Sequence, residues 1–209
     1  MADAVAAEAG GAGRLEIVRD LDVGGLTPSV DLVRQIRAAV SIPLRVMLRE
    51  NPGFEIGSDA ELAKLRRAAI EFAEIGSGGF VLGFLRGGKL DLTSADAILS
   101  AAPGLKATFH RAFEQVADRA HAIQVIKASG RFDRILASGS GATLQEYARQ
   151  AAPEITIVAG GGLDAEVIRH LVETTEIPEF HVGRAARHRG SIDEPVDAER
   201  VRQLVTLLG

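Results

Sequence analysis

The feature that most constrains this chain is a rhythm: short apolar runs alternate with stretches of helical period from one end to the other. Such alternation builds repeated βα units on a parallel sheet. Seven runs read as strands: "RLEIV" (Arg14 to Val18), "PLRVMLR" (Pro43 to Arg49), "GFVLGFL" (Gly79 to Leu85), "LKATFHR" (Leu105 to Arg111), "DRILAS" (Asp133 to Ser138), "EITIVAG" (Glu154 to Gly160) and "EFHVGR" (Glu179 to Arg184). Between them, "SDAE", "TSAD" and "TLQE" set a hydroxyl three residues before a carboxylate, which predicts Ser58, Thr93 and Thr143 as helix N-caps. Thr27 before Pro28 predicts another cap, and Asp3 would cap a short helix in "ADAVAAEA". Gly76 and Gly130 fall where helices should stop. No linker or low-complexity tract interrupts the pattern, so residues 1–209 are expected to form a single domain.

In a parallel barrel one set of alternating side chains packs on the helices and the other fills the interior. That parity sends Leu15, Ile17, Val46, Leu48, Ala107, Phe109, Phe180 and Val182 outward. It turns Glu16, Arg45, Met47, Arg49, Thr108, His110, Ser138 and His181 inward. Interior charges are costly unless paired or hydrated, and most of these lie near strand C-terminal ends, where parallel barrels place their sites. Glu16, Arg49 and His110 are therefore the candidate catalytic residues, with Arg49 as an anion clamp and His110 with Glu16 as an acid/base pair. A purely structural polar network is the alternative. By parity Arg111 faces away, toward an ion pair beneath the following loop.

Glycine-containing loops follow four strands. "VAGGGLD" (Val158 to Asp164) and "HVGRAA" (His181 to Ala186) could present backbone N–H groups to an anion, or could be tight turns without a ligand. Gly160, Gly161, Gly162 and Gly183, with Ser138 of "SGSGA", are the candidate ligand-binding residues. "DVGGLTPS" reads as a tight βα loop. No G-x-S-x-G elbow supports a nucleophilic serine. His110, His181 and Glu16 make a possible two-histidine, one-carboxylate metal set.

Composition narrows the partners. With 24 basic and 28 acidic residues and a net charge of −4, no basic patch for nucleic acid stands out. No run reaches a membrane span, and the acidic N-terminus is unlike a leader, so a cytoplasmic protein with no membrane partner is expected. The chain has no cysteine, which excludes disulfides and thiolate metal sites.

Taken in order, "GRLEI", "GGLTPS", "IPLRVMLRE", "TFHRAFE", "RILASG", "IVAGGG" and "EFHVGRA" resemble the CutC family from about Ala4 to Arg187. The resemblance implies a TIM-type (β/α) barrel, a cytoplasmic location and a part in copper homeostasis, with copper as the implied metal. His110, Arg111, Ser138, Gly160 to Gly162 and His181 match the family pattern. Val18 stands where the family has a cysteine and the family's other cysteine belongs to a first strand not found here, so the copper-relevant thiols are absent and copper binding is discounted; "REN" (Arg49 to Asn51) replaces the family's arginine-proline-arginine, so only Arg49 carries over. The family's first strand is also missing, which predicts a seven-stranded barrel whose gap is narrowed, filled by a loop, or covered by a second copy in a homo-oligomer. The expected partner is a small anionic molecule or a metal ion. The alternative function is a lyase- or isomerase-type barrel enzyme acting on a small phosphorylated or carboxylate ligand.

Overall fold

A computed structural model describes all 209 residues. In chain order the elements are α1 (Ala2–Ala9), β1 (Leu15–Ile17), α2 (Val30–Ala39), β2 (Leu44–Met47), α3 (Asp59–Glu74), β3 (Phe80–Leu82), β4 (Leu85–Arg86), β5 (Lys89–Leu90) and α4 (Leu92–Leu99). The second half holds β6 (Ala107–Phe109), α5 (Arg119–Ala128), β7 (Phe132–Ala137), α6 (Gly141–Ala151), β8 (Thr156–Ala159), α7 (Ala165–Thr174), β9 (Glu179–Phe180) and α8 (Ala198–Thr206). Seven strands pair in parallel in the order β1-β2-β3-β6-β7-β8-β9, an open barrel of the TIM type. Strands β4 and β5 form a separate antiparallel hairpin that the sequence pattern did not predict; only Leu85 of it falls within the expected third strand. No helix is long and apolar enough to cross a membrane.

Parity sorts the strands as expected. Leu15, Ile17, Val46, Leu48, Ala107, Phe109, Ile135 and Ala137 belong to the main apolar core with the helix faces. Burial of that many apolar side chains, each contributing roughly 1.5–3 kcal/mol, is the chief force holding helices to sheet. The register aligns Glu16 with Arg45, Met47 with Val81, and Val81 with Thr108, so the inward residues form rows across neighbouring strands.

Arg45 does not contribute to the mouth. A bulge between Ala107 and Thr108 shifts the β6–β7 register and brings Asp133 to Arg45, which binds it in a fork at 2.8 and 2.5 Å. Arg134 bonds Asp133 at 2.7 Å and Glu179 at 2.8 Å, and Glu179 takes Arg14 at 2.5 Å. This chain of charges ties the N-terminal ends of β2, β7 and β9 to the residue before β1. Burial opposes the charge of Glu179, but the hydrogen bonds from Arg134 and Arg14 outweigh it and hold the carboxyl down at about 2.

Several expected caps move. Ser58 does accept the Glu61 N–H, as its box predicts. Thr93 and Thr143 lie inside the first turn of their helices, because Asp91 and Ser140, better-placed acceptors upstream, take the cap. Ser29 rather than Thr27 caps α2, and Asp3 lies in the first turn of α1, where it accepts from Val196 N–H and pairs with Arg187. Gly76 and Gly130 do close α3 and α5 at positive φ, +87° and +64°.

Candidate functional site

At the C-terminal mouth β6 ends at Phe109, and the chain tightens at once into a 3-10 turn, Arg111–Gln115. His110 is the residue that makes this turn possible. Its Nδ1 accepts the Ala112 N–H at 3.3 Å, capping the turn. Because Nδ1 is an acceptor, the ring proton sits on Nε2, a buried donor with no partner in the protein. Burial and the neighbouring Arg49 charge push this imidazole down to about 3, so the ring is neutral at pH 7. A neutral ring with its proton on Nε2 can donate a hydrogen bond and cannot act there as a base. The His110–Glu16 acid/base pair does not form: Glu16 lies 3.6 Å from His181, while His110 packs on Phe54 with ring centroids 5.2 Å apart.

Arg49, just past β2, is only 4% exposed. Its Nε donates to Gly53 O at 3.1 Å, Nη1 to Gly25 O at 3.2 Å and Gly24 O at 3.4 Å, and Nη2 to the Pro52 carbonyl. The guanidinium also sits 4.8 Å over the Phe54 ring. Thr27 fixes the backbone here: its Oγ1 donates to Arg49 O and accepts from Arg49 N–H, both at 2.9 Å, while its own N–H donates to Arg49 O at 2.8 Å. Thr27 is thus the anchor of the Arg49 strand end, a role hidden in the sequence behind its cap-like position.

Arg49 has carbonyl partners but no carboxylate. Burial, and then the charge of Arg111, lower its pKa, and no acid offsets them. Arg111 itself is exposed and makes no salt bridge; parity failed for it because the strand stops two residues earlier. The two guanidinium groups, with Glu114, Gln115 and Phe54 beside Val23 and Pro52, line a cavity of about 260 Å³. Ser138, past β7, donates its hydroxyl to Glu114 Oε1. Glu114 is therefore a residue of this cavity that the sequence pattern did not point to, and Arg111, which matches the family pattern, was expected to face away from it.

The glycine run answers to packing. A Cβ on Gly160 would lie 2.5 Å from Leu136 Cδ1, and one on Gly161, at φ +90°, would lie 2.7 Å from Ser138 Cβ. None of Gly160, Gly161, Gly162 and Gly183 lines the Arg49–Arg111 cavity. Asp164 caps α7 with its own carboxylate, which accepts the Val167 N–H at 2.9 Å and leaves that helix end unsuited to an anion. The metal set also fails to assemble: His110 is sealed against Phe54, His181 faces Glu16, and no three His, Asp or Glu side chains converge on one point.

Comparison with known proteins agrees with this architecture. The CutC family model matches residues 1–186. A CutC family protein of Xanthomonas axonopodis pv. citri is 39% identical over 87% of this chain and 78% of its own length. The mouse copper homeostasis protein cutC homolog is 33% identical over 90% of this chain and 72% of its own. Among solved structures, CutC of Streptococcus agalactiae superposes with a TM-score of 0.75 at 28% identity, covering 81% of this chain and 87% of that one. Orotidine 5'-phosphate decarboxylase of Pyrococcus horikoshii shares the fold, with a TM-score of 0.68 at 14% identity over 98% of this chain and 91% of that one.

Proposed function

This chain belongs to the CutC family, and from that premise we propose that it binds a small anion at the open mouth of its barrel, between Arg49 and Arg111. One observation carries the reading: a guanidinium that is 4% exposed stands beside a second one, and neither makes a salt bridge to a carboxylate. Burying an uncompensated charge costs several kcal/mol. A bound anion would recover part of that cost, with the exposed Arg111 making the direct contacts and Arg49 supplying a fixed positive field. The buried Nε2–H of His110 lies behind Phe54, a lining residue, and has no partner in the protein.

Kinship also suggests a part in copper homeostasis, the role named for the mouse and human relatives. Direct copper ligation does not fit the residues present. There is no cysteine, Met47 is sealed in the barrel at 2% exposure, and no three-ligand cluster exists.

Calorimetric titration with inorganic phosphate tests the proposal. Saturable binding is expected, weakened about tenfold or more in Arg111→Ala, because a charge-assisted contact contributes roughly 1.5–3 kcal/mol. Unchanged affinity in that variant would remove the site. Titration with Cu(I) and Cu(II) should give no stoichiometric binding, and a defined stoichiometry lost in the His110→Ala, His181→Ala double variant would favour metal handling instead.

A further inference from the structure

We infer that Glu114, held by Ser138, is the second arm of this pocket, so that its ligand is a small organic anion carrying a hydroxyl group rather than a bare anion. The inference rests on the anion reading above and deepens it. In a 3-10 turn, side chains three positions apart lie on one face, so Arg111 and Glu114 open into the same cavity. Yet Glu114 forms no salt bridge with either arginine. Its Oε1 is taken by the Ser138 hydroxyl instead, and no protein donor reaches Oε2.

The arrangement is built from three loops. Gly161 has no side chain where a Cβ would strike Ser138 at 2.7 Å, so the glycine run after β8 leaves room for the serine after β7 that holds the glutamate after β6. A carboxylate fixed at the edge of an anion site repels a plain anion. It becomes favourable only when the ligand brings a proton-bearing group to meet it. At about 260 Å³ the cavity admits only a small molecule. A polyol phosphate or a hydroxycarboxylate has the required parts: an anionic end for Arg111 and a hydroxyl to donate to Glu114.

Glycerol phosphate and methyl phosphate share the phosphate dianion and differ in the hydroxyl groups, so their affinities, measured by calorimetry at pH 8, isolate this arm. The protein should prefer glycerol phosphate by about tenfold or more. In Glu114→Gln that ratio should fall toward one while methyl phosphate binds more tightly, since a repelling charge has gone. Ser138→Ala should give an intermediate ratio, restored in Ser138→Thr, and it serves for the same comparison if Glu114→Gln proves misfolded. Equal affinities for the two phosphates, or a ratio untouched by both substitutions, would overturn the inference while leaving the anion site standing. Failure of both phosphates to bind, or binding insensitive to Arg111→Ala, would bring down the anion reading and this inference with it.

Discussion

His110 holds its place in the fold through one ring nitrogen and leaves the other uncommitted. Strand alternation makes its inward direction readable from "KATFHR", but the reason for it is the turn it caps. Arg111 and Glu114 were out of reach of that reasoning. The period of two ends at Phe109, the period of three begins at once, and Glu114's partner Ser138 is 24 residues away in sequence. The neutral imidazole has a consequence for stability. Its pKa is about 3 in the fold and 6.5 when exposed, so between those values the unfolded chain binds more protons than the native one. Stability contributed by keeping this ring neutral is full above pH 6.5 and is lost as pH falls through that window. Between pH 7.5 and pH 5 the loss should be about 2 kcal/mol in denaturant melts. His110→Asn keeps a capping acceptor and removes the titration, so its melts should lack this component. An equal loss in the variant would mean that His110 is not the buried group responsible.

Among the elements, the loops after the strands account for most of what sequence reading got wrong. The spacing S/T-x-x-D/E is satisfied equally by a cap and by residues inside a first turn. Thr93 and Thr143 were therefore displaced by Asp91 and Ser140, which accept the N–H groups of Ser94 and Thr143. Thr27 was displaced for a different reason: a buried hydroxyl with both a donor and an acceptor in reach belongs to the Arg49 backbone. Thr27→Val keeps the shape and β-branching and orphans the buried Arg49 N–H. It should cost about 1–3 kcal/mol and weaken phosphate binding as the Arg49 end loosens, whereas Thr27→Ser should retain both. Thermal melts with phosphate titrations check this, and wild-type values for Thr27→Val would show that Thr27 does not hold the site.

For the molecule as a whole, the strand count and the open seam were legible because seven apolar runs and no eighth are present. How the seam is bridged was not legible, since it depends on side-chain pairs far apart in sequence. β1 and β9 share no backbone bonds; Arg14 bonds Glu179 at 2.5 Å and Glu16 approaches His181 at 3.6 Å across the gap. Glu179→Gln removes the acid shared by Arg14 and Arg134. Both arginines are about a quarter exposed or less, so solvent screens part of the loss and about 2 kcal/mol is expected. The melting temperature should drop by roughly 4–8 °C for a chain of this size. The acid limb follows the same sign: this carboxylate's contribution is complete above pH 4.5 and fades as pH falls toward 2. An unchanged melting temperature would show that the Arg14–Glu179–Arg134 ion pairs contribute little and that packing alone keeps the seam together.

All of these effects converge on whether the mouth holds an anion, and selenate, a phosphate-sized anion with an anomalous signal, can show it directly. In crystals grown with selenate, an anomalous difference peak is expected inside the cavity between Arg49 and Arg111, within hydrogen-bonding reach of the Arg111 guanidinium. A peak instead at Gly162 and Asp164 or at Gly183, or none in the cavity at saturating selenate, would contradict the assignment of the site.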